Sequence, residues 1–196
     1  TIDSVPSLAP GFTLANVGSG FVSYSYIRGA GTNVVDAGAD PSVAYFVDEV
    51  YLAGTAGLAF DFLDLARVEV LKGPQGTLFG RNATGGLVQI ISKKPTDQLA
   101  ADLSLQYGSF NQFIATGGIG GPVTDGLRLR AAFNFNRDDG WQKNVVTGTR
   151  QARTNEWAMR LIADADITSQ LLSETNFHMA DQANSTPGYY NRGLFD

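Results

Sequence analysis

From residue 96 onward the chain is governed by alternation. In Leu127-Arg128-Leu129-Arg130-Ala131-Ala132-Phe133-Asn134-Phe135-Asn136 every odd position is apolar, and the even positions hold Arg, Arg, Ala, Asn and Asn. Successive side chains of a strand leave opposite faces, so this spacing predicts a strand with one greasy and one polar side. Leu103, Leu105 and Tyr107 alternate with Asp102, Ser104 and Gln106. Trp157, Met159, Leu161 and Ala163 alternate with Glu156, Ala158, Arg160 and a mismatched Ile162. Phe177 and Met179 alternate with Asn176 and His178, and Phe113, Ala115, Gly117 and Ile119 form a weaker, glycine-rich case. Arg128, Arg130, Glu156, Arg160 and Glu174 are expected to share the polar face. The connections at 122–125 and 168–170 are short. Those at 138–153 and 180–196 are long and polar, and Gly108-Ser109-Phe110-Asn111 is a short turn at the long-loop end. Strands of about ten residues, with short turns at one end and longer loops at the other, form the arrangement of outer-membrane barrels. A soluble antiparallel sheet packed on a core gives the same alternation. The period leaves both open, and the charges on the polar face favour a water-filled or plugged interior.

The pattern before residue 95 is different. Val43-Ala44-Tyr45-Phe46-Val47 and Val50-Tyr51-Leu52 read as a hairpin around Asp48-Glu49. Residues 67–71 and 87–92 read as further strands, with a turn at Gly73-Pro74-Gln75-Gly76. Residues 59–65 are expected to form one or two helical turns, with Asp61 and Asp64 on the exposed side. Strands mixed with short helices predict a small α+β unit. The boundary is placed at Lys93-Lys94-Pro95-Thr96, where a proline after two charges ends a strand. The chain then divides into residues 1–95 and 96–196.

Composition narrows the chemistry. The 196 residues carry a net charge of −5, which gives no basic surface for nucleic acid. There is no cysteine and a single histidine, His178, so thiolate zinc sites and multi-histidine metal sites are excluded. His178 is expected to be a solvated residue of the polar face, and no cofactor is expected. No apolar run approaches a membrane-spanning helix, which says nothing against barrel strands. The chain opens on Thr1-Ile2-Asp3, so a signal peptide is expected to be absent or already removed. The glycines of 67–95 do not match a phosphate loop, which needs lysine and a hydroxyl residue after its second glycine. Paired carboxylates for a hydrolase could come from Asp48 and Glu49 or from Asp61 and Asp64. The first pair would leave a strand on opposite faces, and the second suits a solvated helix face.

Residues 67–95 read RVEVLKGPQGTLFGRNATGGLVQIISKKP. This segment resembles the plug domain of TonB-dependent outer-membrane receptors. The resemblance rests on Val68-Glu69-Val70-Leu71-Lys72-Gly73-Pro74, Gly80, Asn82-Ala83-Thr84-Gly85-Gly86 and Ile90-Ile91-Ser92-Lys93-Lys94-Pro95. Upstream, Ile27-Arg28-Gly29, Gly38-Ala39-Asp40-Pro41-Ser42-Val43 and the Val47-Asp48 hairpin fit as well. The family usually has glycine after that aspartate; Glu49 stands there, so a turn of another type is expected.

The resemblance implies an α+β plug domain followed by antiparallel β-strands of an incomplete outer-membrane β-barrel, the first of about 22. It implies a transporter rather than an enzyme. The partners would be TonB, through a segment missing from this chain, outer-membrane lipid, and an extracellular ligand such as a ferric siderophore. Arg28, Thr32, Asn33 and Thr55 become ligand-facing apex candidates, on the turn at Arg28 and the loops 30–36 and 53–59. Glu69, Gly73, Pro74, Gly80, Gly85 and Gly86 become the plug's structural motif, with Glu69 expected to pair with an arginine. Tyr107 and Trp157 would join an interfacial aromatic girdle. A soluble β-rich binding or adhesion module is the alternative.

Overall fold

The computed structural model describes residues 9–17, 22–32, 41–52, 63–80, 83–145, 147–185 and 187. The first sheet pairs β1 (Phe12–Val17), β2 (Val22–Ile27) and β3 (Ala30–Gly31). The second contains β4 (Val43–Val47), β5 (Val50–Leu52), β6 (Leu65–Lys72) and β7 (Gly86–Ser92), with the short helix α1 (Gly76–Phe79) between the last two. Its order is β5-β4-β7-β6, with β4 and β7 parallel and the other pairs antiparallel. Both faces of this sheet are covered, which is why β4 and β7 read as apolar runs rather than as alternations. Val43, Tyr45, Val88 and Ile90 pack with Phe12 and Ile27 on one side. Ala44, Phe46 and Leu87 pack with Ala83 and Phe79 on the other. Burial pushes the Tyr45 phenol up to about 12.

The β4–β5 turn corrects one expectation. Val47 pairs with Val50, and Asp48 and Glu49 have φ of 45° and 69°. Two central residues at positive φ define the type I′ hairpin turn even without glycine. Asp48 tolerates this backbone, and its carboxylate is held by Ser92, whose amide and hydroxyl donate at 2.8 and 2.7 Å. Glu49 has no such compensation in its backbone. Glu49→Gly is expected to raise stability by about 0.5–1 kcal/mol, read as a higher urea midpoint. A lower midpoint would show that the glutamate relieves the strain in another way.

The third sheet is a meander of β8 (Ala100–Gly108), β9 (Gln112–Thr124), β10 (Leu127–Arg137), β13 (Asn155–Thr168) and β14 (Leu171–Gln182). A small hairpin, β11 (Gln142–Lys143) with β12 (Arg150–Gln151), sits in the loop after β10. Every pairing in the meander is antiparallel, and β8 and β14 are its edges. All the alternating segments are strands. The predicted helix over 59–65 is not borne out where it is described: Leu63 and Asp64 form a bend and Leu65 opens β6. Residues 59–62, including Asp61, lie outside the described residues.

Candidate functional site

The burial of the meander is inverted relative to a soluble sheet. Leu103, Tyr107, Met159 and Phe177 are 67%, 75%, 56% and 57% exposed, whereas Arg130 and Arg160 are each 4% exposed. The greasy face is bare, whereas on the central strands β10 and β13 the charged face is covered by the β4–β7 sheet and its flanking turns. A soluble β-module would bury the greasy face. At the long-loop end the bare face carries a row of aromatics. Tyr107 pairs with Phe113, the rings of Phe113 and Phe135 lie 6.2 Å apart, and Phe135 pairs with Trp157. Outer-membrane walls carry their aromatic girdles at such strand ends.

Three of the contacts that hold the covering unit against the polar face centre on Asp64, Arg160 and Lys94. In the first, Arg130 grips both carboxylate oxygens of Asp64, with Nη2 at 2.7 Å from Oδ1 and Nε on Oδ2. Asp64 is buried, not exposed as the helical reading expected, because the bend at 63–64 turns it onto β10. Leu63 beside it packs on Ala132 and Ala158, whose small side chains let the two units approach. In the second, Arg160 Nη1 donates to the Leu63 carbonyl at 2.6 Å and to Ser92 Oγ. Ser92 donates in turn to Asp48, and Asn176 Nδ2 reaches Asp48 at 2.9 Å. In the third, Lys94 bonds Glu174 of β14. That hydrogen bond raises the Lys94 pKa, against some desolvation. A raised lysine pKa leaves this tie complete below about pH 10.5 and weakens it as pH rises through the shifted value. His178 lies opposite Arg160 across the β13–β14 pair, on the same polar face.

Glycines of β9 make the first contact possible. A Cβ at Gly118 would lie 2.9 Å from Arg130 Nη2 and 3.3 Å from the Asp64 carboxylate. At Gly120 it would lie 3.1 Å from Arg130 Cγ. The arginine thus lies flat in a trough without side chains. Gly118→Leu is expected to loosen the covering unit by about 1–3 kcal/mol while the strands persist. Limited trypsin digestion in intact membranes checks it: cleavage after the exposed Arg67 should accelerate, and an unchanged rate would count against the trough.

The residues expected at the apex are only partly in view. Arg28 is exposed at the turn between β2 and β3, at φ 53°, and its amide bonds the Gly11 carbonyl at 2.7 Å. Thr32 Oγ1 bonds Ser42 Oγ at 2.6 Å and accepts from the Ser42 amide, which closes the base of its loop. Asn33 and Thr55 lie outside the described residues. Arg28 and Thr32 sit near the Gly86 end of the sheet, opposite the Asp48–Ser92 end that meets the wall. Glu69 pairs with Arg67 on the surface of β6. Gly73 and Gly80 adopt φ of 99° and 84°, Pro74 is exposed, and Gly85 and Gly86 are buried. Asp48, Asp64, Ser92 and Arg160 were not expected to form the contact. The one signal for them was the arginine-bearing polar face, which needs acids from elsewhere in the chain.

Residues 1–87 match the family model of the TonB-dependent receptor plug domain. The chain belongs to the TonB-dependent receptor family. The pesticin receptor of Yersinia pestis is 30% identical over 148 residues, covering 75% of this chain and 22% of that protein. The ferripyoverdine receptor of Pseudomonas aeruginosa is 33% identical over 129 residues, covering 66% of this chain and 15% of that protein. The solved ferric yersiniabactin uptake receptor of Yersinia pestis superposes with a TM-score of 0.72 at 26% identity, over 83% of this chain and 26% of that one. The chain thus spans about a fifth of the curated relatives' length. TonB-dependent receptors are outer-membrane transporters of Gram-negative bacteria, not enzymes, so the paired-carboxylate hydrolase reading falls. The plug match ends at residue 87, and the fold as a whole is that of a receptor plug with part of a barrel.

Proposed function

We propose that the receptor carrying this chain takes up a ferric siderophore across the outer membrane, driven by TonB, with residues 1–95 as plug and 96–196 as wall. The observation that carries this reading is the inverted sheet: a lipid-ready face outside and a charged face inside, closed by a plug. A channel filled in this way needs work to open, and the outer membrane holds no energy source of its own, which is the role left to TonB. The cargo class follows the relatives, which are named for ferripyoverdine, ferric enterobactin and ferrioxamine B. Arg28 and Thr32, at the plug end away from the wall contact, together with Asn33 and Thr55, are the ligand-facing residues.

The experiment is uptake of radioactive iron, offered as a panel of ferric siderophores, by cells whose own receptors are deleted and which express this receptor. Uptake of at least one member, abolished by loss of TonB, is expected. Arg28→Ala should weaken binding of that member without changing receptor abundance. Iron uptake that persists without TonB would refute the coupling, and indifference to Arg28 would refute the apex assignment.

A further inference from the structure

Where the plug meets β8 and β10, four charged groups form a ring with two members from each side. Asp64 and Lys93 come from the plug, and Arg130 and Asp102 come from the wall. Arg130 Nη2 lies 2.7 Å from Asp64 and 3.3 Å from Asp102. Lys93 Nζ lies 3.4 Å from Asp64 and 3.5 Å from Asp102. Each cation therefore touches both anions, and two pairings are open. One crosses the interface, Arg130 with Asp64 and Lys93 with Asp102. The other stays within each unit, Arg130 with Asp102 and Lys93 with Asp64. The docked plug favours the crossing pair for Arg130, whose guanidinium holds both Asp64 oxygens. The members differ in hydration: the side chains of Arg130 and Asp64 are 4% and 5% exposed, those of Asp102 and Lys93 56% and 45%.

We propose that this ring is a partner exchange that eases the parting of plug and wall. As the plug leaves, Arg130 passes from Asp64 to Asp102, and Lys93 keeps Asp64 as it lets go of Asp102. Neither unit then separates with a bare charge in a poorly hydrated gap, the arrangement that carries the heaviest penalty. The trough at Gly118 and Gly120 leaves the path of the guanidinium open. Asp102 and Lys93 thus act on the rate of release, and Asp64 with Arg130 on the grip. The inference rests on the plug-and-wall reading, and it assigns opposite effects to two acids that touch the same arginine.

The test uses the full receptor in a planar lipid bilayer, with the onset of ionic current timed at a fixed urea concentration that loosens the plug. Asp64→Asn should hasten the onset. Asp102→Asn should delay it by about threefold, the scale of one partly exposed ion pair. Lys93→Gln should delay it likewise, and Asp102→Glu should behave as wild type. Asp102 is more than half exposed, so its asparagine variant keeps the strand. If Asp102 were an ordinary bridge, Asp102→Asn would hasten the onset as Asp64→Asn does. A faster or unchanged onset in either Asp102→Asn or Lys93→Gln overturns the exchange. If urea opens no current in the wild type, the plug-and-wall reading itself fails, which separates the two failures.

Discussion

Gly86→Val should unfold the plug and spare the wall. Gly86 opens β7, the strand between β4 and β6, and pairs with Val43 on one side and Lys72 on the other. Its φ of 142° is hostile to any L side chain. A Cβ there would lie 2.3 Å from the Leu71 carbonyl oxygen and 2.6 Å from Ile27 Cδ1. The first obstacle is backbone of the paired strand, so it cannot swing aside as a side-chain tip would. Strain and overpacking together cost at least about 3 kcal/mol, enough to exhaust much of a small unit's stability. Gly80→Ala is the milder comparison, because nothing lies within 4 Å of its Cβ and only its backbone, at φ 84° and ψ −175°, is strained, by about 1–3 kcal/mol. Tryptic digestion and urea unfolding of the purified receptor would separate them. Equal behaviour of the two variants would mean that β7 shifts to accept the side chain.

The second large effect belongs to the wall. Phe133 faces outward between Gly117 of β9 and Met159 of β13, whereas Asn134 faces the plug side. Arginine at a lipid-facing mid-strand site costs about 2–4 kcal/mol. Phe133 also covers Gly117, whose absent Cβ would sit 2.9 Å from its ring, so its loss bares backbone as well. Phe133→Arg should therefore lower stability in lipid vesicles by about 2–4 kcal/mol, and Asn134→Arg by about 1 kcal/mol or less. Urea unfolding of both variants in vesicles is the measurement. Equal losses would remove the lipid-facing assignment.

The strands of the wall were legible because a period of two is a local property, visible in Leu127-Arg128-Leu129-Arg130 without a neighbour. Which face is inside is not local. It follows from the plug lying on Arg130 and Arg160, so the period was silent on it. The plug sheet was legible through its motif residues and its β-branched runs. Asp64 was misplaced because spacing alone set Asp61 and Asp64 on one helical face, and the arginine that buries Asp64 stands 66 positions downstream. The turn at Asp48-Glu49 was misjudged on Glu49's backbone preference, although Val47 and Val50 close a two-residue loop for which the type I′ geometry wins. Arg28 and Thr32 were singled out by the family pattern alone, since no local period marks them; both lie near the Gly86 end of the plug sheet.

The trough in β9 also sets what can be improved in this protein. A designer seeking a sturdier strand would replace Gly118 and Gly120 with valine or isoleucine, since glycine is among the poorest strand formers and β-branched residues among the best. The wall would gain pairing strength, and Arg130 would lose its bed. The two glycines are thus an imprint of the plug in the wall's own sequence. Relatives that keep an arginine at the position of Arg130 should keep that imprint, and a barrel released from its plug would be free to fill it in.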